Sequence, residues 1–187
     1  MEKFALVTND LQFAAANKHP DRIESVKKFL PIQIKILNQL RTLKIPIIHL
    51  QLIVSEDDPR SKGIPDEQKF TKGSNGAQIL DEVYDVSDMI IEKPKDSGFF
   101  ETSLDATLKE LGITHLIITG MQTQICVQTT AADAYFRGFK VYVPSDAVIS
   151  TRIEDTQRSL EWMGNYCAIV KTSDEIITIV KNSQINN

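Results

Sequence analysis

The chain has 187 residues, 42% of them hydrophobic and 25% charged, with a formal net charge of −4. This is the balance of an ordinary globular protein of a single domain, long enough to bury a core without staples. It gives no sign of the basic face that a nucleic acid or an anionic membrane would demand, and two cysteines far apart argue against a disulfide framework.

Taken in chain order, the N-terminal MEKFALVTND runs straight into a strand and carries none of the regions of a signal peptide. No apolar run approaches the length of a membrane span. A reducing, cytoplasmic setting is therefore expected, with no membrane partner. Six β-rich apolar runs follow one another: FALVT (4–8), PIIHLQLIV (46–54), DMIIE (88–92), HLIIT (115–119), KVYVP (140–144) and CAIVK (167–171). They are continuous rather than alternating, as strands buried on both faces are. Helical spacing marks the segments between them. Residues 31–44 carry Ile34, Leu37, Leu40 and Leu43, with Pro31 at the start. Thr102 and Asp105 suggest a capping box ahead of Leu104, Leu108 and Leu111. Residues 124–137 read as a helix ended by Gly138. Residues 153–163 and 173–181 complete the set, and the last residues, KNSQINN, look frayed. Residues 55–87 are the least regular, read as a long surface excursion with a short helix near 76–82. Strands alternating with helices predict one α/β domain over 1–187, Rossmann-like in three α/β/α layers, with a six-stranded, mostly parallel sheet.

In such a sheet, function gathers beyond the carboxyl ends of the strands. Strand one delivers Asp10 there, and strand three delivers Glu92 and Lys93. Strand four delivers the turn GMQTQ and then Cys126, in the first turn of a helix. Each residue alone has an ordinary reading: a turn-forming Asp10, a solvated Lys93, a Cys126 that is a small buried hydrophobe. Together they bring a carboxylate, an ammonium and a thiol to one edge. A helix N-terminus and a nearby lysine would favour the thiolate, and Asp10 could take its proton. Cys167, inside YCAIV, reads as core.

The stretches LVTNDLQ, IIEKPKDSGFF and GITHLIITGMQTQICVQTTAADAYFRGFKVYVPSDAV resemble the isochorismatase-like cysteine hydrolases over nearly the whole chain. The resemblance implies a catalytic triad of Asp10, Lys93 and Cys126. It also implies a cis peptide at Met121–Gln122 and an oxyanion hole made by the backbone N–H groups of Gln122 and Cys126. It implies a homodimer or homotetramer acting on a small-molecule substrate. Gln12, Phe13 and Phe99 are candidate substrate contacts. Nicotinamidases of the family hold a metal with an Asp-x-His pair after strand two and a further His. Here that region reads HLQLIVSEDDPR, and residues 55–87 contain no histidine, so no metal and no other cofactor is expected. A retained cysteine favours a cysteine amidohydrolase that cleaves a C–N bond through a thioester. The alternatives are an isochorismatase-type vinyl-ether hydrolase, a nicotinamidase, or a non-enzymatic small-molecule-binding or scaffold module. Neither G-x-G-x-x-G nor G-x-x-x-x-G-K-[ST] occurs to support nucleotide binding.

Overall fold

The β-branched runs form a sheet in which every pairing is parallel. The computed structural model describes residues 2–59 and 61–185. Met1 and Asn186–Asn187, at the ends of the expected 1–187 unit, and Arg60, in the 55–87 excursion, lie outside the described residues. Strands β1 (Phe4–Asn9), β2 (Ile47–Leu52), β3 (Met89–Lys93), β4 (His115–Met121) and β5 (Lys140–Pro144) are joined by the two-residue β6 (Val148–Ile149) and by β7 (Ile169–Lys171). The sheet runs β3-β2-β1-β4-β5-β7, and β6 pairs with the end of β4. Six strands thus form the path, with a seventh short strand added where β5 has diverged.

The helices are α1 (Phe13–Ala16), α2 (Pro20–Thr42), α3 (Leu104–Glu110), α4 (Gln128–Phe136), α5 (Ile153–Tyr166) and α6 (Ser173–Ile185). Alternate residues of each strand point to opposite faces. Leu6 and Ile117 therefore join α2 and α6 in one core, through Phe29, Ile36, Leu37, Leu40, Ile176 and Val180. Ala5, Val7, Leu116 and Ile118 join α3, α4 and α5 in the other, through Leu104, Leu108, Ala131, Ala134 and Met163. The result is the α/β/α layering expected. Among the described residues, no helix is long and apolar enough to cross a membrane.

Four local readings change. Pro31 lies inside α2, which begins at Pro20 rather than near residue 31. A proline in a helix interior costs about 3 kcal/mol. The added turns bury Val26 and Phe29 on the same face as Gln33, Ile36, Leu37 and Leu40, and each such apolar side chain contributes about 1.5–3 kcal/mol. Burial outweighs the defect. No helix forms at 76–82. Turns at 75–77 and 81–83 flank a short pairing beside residues 11–14: the Phe13 N–H donates to Gln78 O, the Leu80 N–H to Leu11 O, and Gln12 bridges Ile79. The excursion's regular piece is instead a short 3₁₀ turn at Asp66–Gln68. Thr102 Oγ1 accepts the Leu104 N–H at 3.2 Å, but Asp105 pairs with Lys109 rather than closing a capping box. At the C-terminal end, α6 continues to Ile185 where fraying was expected, and Asn186–Asn187 lie outside the described residues.

Candidate active site

Strand order reverses between β1 and β4, and this is where the expected residues meet. Asp10 follows β1 with φ 51°, a left-handed conformation that turns the chain sharply off the strand. Its N–H donates to Leu50 O, tying the turn to β2. Beside it, Gly120 has φ 109°, and a Cβ there would sit 2.2 Å from Asn9 O. Only glycine lets the ends of β1 and β4 approach this closely. Met121–Gln122 is a cis peptide. A single wide π-helical turn, Thr123–Val127, then leads into α4. Gln122 O accepts the N–H groups of Ile125 and Val127, bypassing that of Cys126 between them.

Lys93, at the end of β3, is 1% exposed. Its Nζ donates to Asp10 Oδ2 at 3.1 Å and stands 3.0 Å from Oδ1. It also donates to Lys95 O at 3.2 Å and Asp96 O at 2.9 Å. All three ammonium hydrogens thus have acceptors. Asp10 is 4% exposed, and its Oδ1 accepts no hydrogen bond. The 3.0 Å approach of the ammonium to that oxygen is an ion contact off the hydrogen-bond direction. Cys126, 6% exposed, has its thiol within hydrogen-bonding reach of Asp10. Its Sγ is also 3.7 Å from Asp96 Oδ1.

The electrostatics differ from the sequence expectation. The thiol of Cys126 is pushed well above the ordinary thiol range, first by burial and then by the Asp10 charge, with Lys93 opposing. Asp10 is raised from its usual carboxylate value, chiefly by burial, with Lys93 again opposing. The resting site therefore holds a neutral thiol beside a carboxylate of increased proton affinity.

A polar frame holds these groups. Thr130 Oγ1 donates to Asn9 Oδ1 at 3.0 Å and accepts the Gly98 N–H at 3.0 Å. One hydroxyl on α4 thus fastens the end of β1 and the loop after β3. The Gln122 side-chain Oε1 accepts the Thr151 N–H at 3.1 Å. Arg22 in turn donates to Thr151 Oγ1 at 3.0 and 2.6 Å.

The three residues named as substrate contacts separate. Gln12 is fully buried, and its amide is occupied by the backbone: Nε2 donates to Leu52 O and Ala77 O, and Oε1 accepts the Leu52 N–H. It braces the excursion against β1 and β2 rather than facing a ligand. Phe99 is 6% exposed and belongs to the core, stacked on Phe139 with the Arg137 guanidinium 4.7 Å from its ring centre. An apolar residue beside a site and an apolar residue in the core look alike in sequence. Phe13 alone is open, and it lines a groove with Gln78, Ile79 and Leu80. Asp96 was missed, although it is a charged residue three positions after Lys93.

Among the described residues, no group of three or more His, Cys, Asp or Glu side chains could hold a metal ion. His49, the histidine on β2, is committed to Thr8 Oγ1 at 2.7 Å and Asp88 Oδ2 at 3.0 Å. The residues present do not fit the metal that nicotinamidases hold.

Comparison with known proteins agrees with this geometry. The Isochorismatase domain model matches residues 4–175. An uncharacterized isochorismatase family protein, YaaI of Bacillus subtilis (strain 168), is 41% identical over 92 residues, 49% of this chain and 51% of that protein. The match thus spans about half the length of this curated relative. An isochorismatase-like hydrolase from Alkaliphilus metalliredigens superposes with a TM-score of 0.84 at 28% identity, over 95% of this chain and 98% of the other. N-carbamoylsarcosine amidase from Thermoplasma acidophilum gives a TM-score of 0.78 at 29% identity, over 92% and 97%. Switch-point geometry, domain match and structural neighbours agree: this chain belongs to the isochorismatase family.

Proposed function

We propose that the protein is a cysteine amidohydrolase that cleaves a C–N bond in a small non-peptide amide or ureido compound through a thioester on Cys126. The observation that carries this reading is the buried cluster in which Lys93 Nζ lies 3.0 Å from Asp10 Oδ1, with the Cys126 thiol in reach of the same carboxylate. A lone buried lysine would be costly, and a lone raised thiol would be inert. Placed together they can move a proton and carry the charge that results.

In the proposed cycle, Sγ attacks the carbonyl carbon as its proton passes to Asp10. The raised thiol makes Asp10 the acceptor that this step requires. The carbonyl π pair moves to oxygen, which the N–H groups of Gln122 and Cys126 receive. Such donors are worth about 10²–10³ in rate each. Collapse of the oxyanion breaks the C–N bond, and Asp10 returns its proton to the leaving nitrogen. A water then attacks the thioester while Asp10 takes its proton. The C–S bond breaks, and the proton goes back to sulfur. Lys93 balances the negative charge that passes between carboxylate, thiol and oxyanion. A similarity to N-carbamoylsarcosine amidase supports a carbonyl bearing nitrogen as the target.

The test is an ammonia-release screen over nicotinamide, ureidoacrylate-like, carbamoyl and biuret-type compounds, run beside Cys126→Ala. Turnover that disappears in the variant supports the reading, as does an acyl adduct on Cys126 seen by mass spectrometry during turnover. A Cys126→Ala protein with near-normal kcat would overturn it.

A further inference from the structure

Asp96 is a charged side chain beside the nucleophile for which the triad has no use. Its backbone carbonyl is held 2.9 Å from Lys93 Nζ, so the triad lysine itself fixes where the residue sits. Its Oδ1 lies 3.7 Å from Cys126 Sγ, and among the described residues the thiol is the only donor to this carboxylate. For the thiol alone the arrangement is unfavourable, since a second negative charge opposes formation of the thiolate. It becomes favourable if a substrate supplies the missing donor.

Geometry says where that donor would be. A reacting carbonyl carbon approaches its nucleophile to about 3–3.5 Å before attack. An atom bonded to that carbon on the Asp96 side can then come within hydrogen-bond distance of an oxygen 3.7 Å from the sulfur. A nitrogen-bound hydrogen at this point is bonded, a carboxylate oxygen is repelled, and a dialkylated nitrogen leaves the acceptor unsatisfied. We propose that Asp96 is a specificity-determining residue that accepts a hydrogen bond from an N–H of the substrate. It would select primary amides and ureido compounds over N,N-dialkylated amides and over groups that place an anion beside the reacting carbon. This inference rests on Cys126 being the nucleophile.

The test uses alkylating probes, so it does not wait for the natural substrate. Cys126 in the intact protein is treated with iodoacetamide, N,N-dimethyl-2-iodoacetamide or iodoacetate. Site-resolved rates are taken by mass spectrometry, and each is divided by the rate of glutathione with the same reagent. In the wild-type protein, the normalised rate with iodoacetamide should exceed that with each other probe by about tenfold or more, the worth of one hydrogen bond to a charged group. In Asp96→Ala the preference over the dimethyl reagent should fall to within about threefold. In Asp96→Asn, which keeps an acceptor oxygen but removes the charge, iodoacetate should gain most, again by about tenfold. Equal normalised rates for iodoacetamide and its dimethyl analogue in the wild type would overturn the proposal while leaving Cys126 as nucleophile. A preference that survives in both variants would overturn it too. Cys126 reacting no faster than Cys167 with every probe would overturn both this inference and the function it rests on.

Discussion

The two cysteines set two regions of the molecule side by side. Both are nearly buried, Cys126 at 6% and Cys167 at 4% exposure. Both thiols are pushed up, Cys167 to about 11 by burial alone and Cys126 further, by burial and by the Asp10 charge. By acidity, Cys126 is the worse nucleophile of the two. What separates them is company. Cys167 caps the end of α5 through its N–H to Met163 O and belongs to the apolar cluster under the sheet. Cys126 stands between Asp10 and Asp96 with Lys93 behind them. Proximity of a proton acceptor, rather than a lowered pKa, is what could make a buried sulfur reactive.

The largest contrast should come from replacing each cysteine in turn with alanine. Cys126→Ala should lower kcat by about 10⁵–10⁶, the cost of losing a nucleophile that acts as part of a unit. Cys167→Ala should leave kcat within a few-fold and cost about 0.5–3 kcal/mol of stability; ammonia release and thermal melting measure the two. Next, Asp10→Asn removes the acceptor while keeping the shape. It should reduce kcat/KM by about 10²–10⁴, and comparable activity in the variant would mean that the proton leaves by another route.

The pH dependence sharpens the same contrast. Asp10 must be ionised to accept a proton, and its pKa is raised in the folded protein. Activity should therefore be lost as pH falls through a value above the ordinary aspartate range, so the acid limb of kcat/KM should lie above about pH 4. With the Cys126 thiol raised, there should be no rate increase across about pH 8–9, where an unperturbed thiol ionises. A profile that climbs through that range would show a thiolate nucleophile instead. The smallest effect concerns Phe99. Phe99→Leu should cost about 1–1.5 kcal/mol in a melting experiment and leave KM nearly unchanged, because the ring is buried between Phe139 and the Arg137 guanidinium.

Much of this was legible in the sequence, and the reasons differ by element. Continuous apolar runs place β1, β2 and β4 because strands buried on both faces need no polar alternation. Asp10, Lys93 and Cys126 come together because each lies at or just beyond the carboxyl end of a strand, at the same edge of a parallel sheet, so chain order becomes spatial proximity. Pro31 misled because its local cost is visible in sequence while the burial that offsets it is not. Gln12 and Phe99 misled for a related reason. A residue next to a candidate site residue can serve the frame, and only its hydrogen bonds and contacts tell which. Asp96 went unnoticed because its significance is a 3.7 Å distance to a residue thirty positions away.

The three hydrogen bonds of Lys93 have a consequence for how the site can be taken apart. Its ammonium joins the end of β1, through Asp10, to the carbonyls of Lys95 and Asp96 in the next loop. The side chain is both a charge and a joint, and replacing it changes field and shape at once. Single substitutions at Lys93 and Asp96 should therefore not add, whereas Lys93 and the distant Cys167 should. The sign of that departure would say whether the lysine matters more as a cation or as the pin that aims a neighbouring carboxylate.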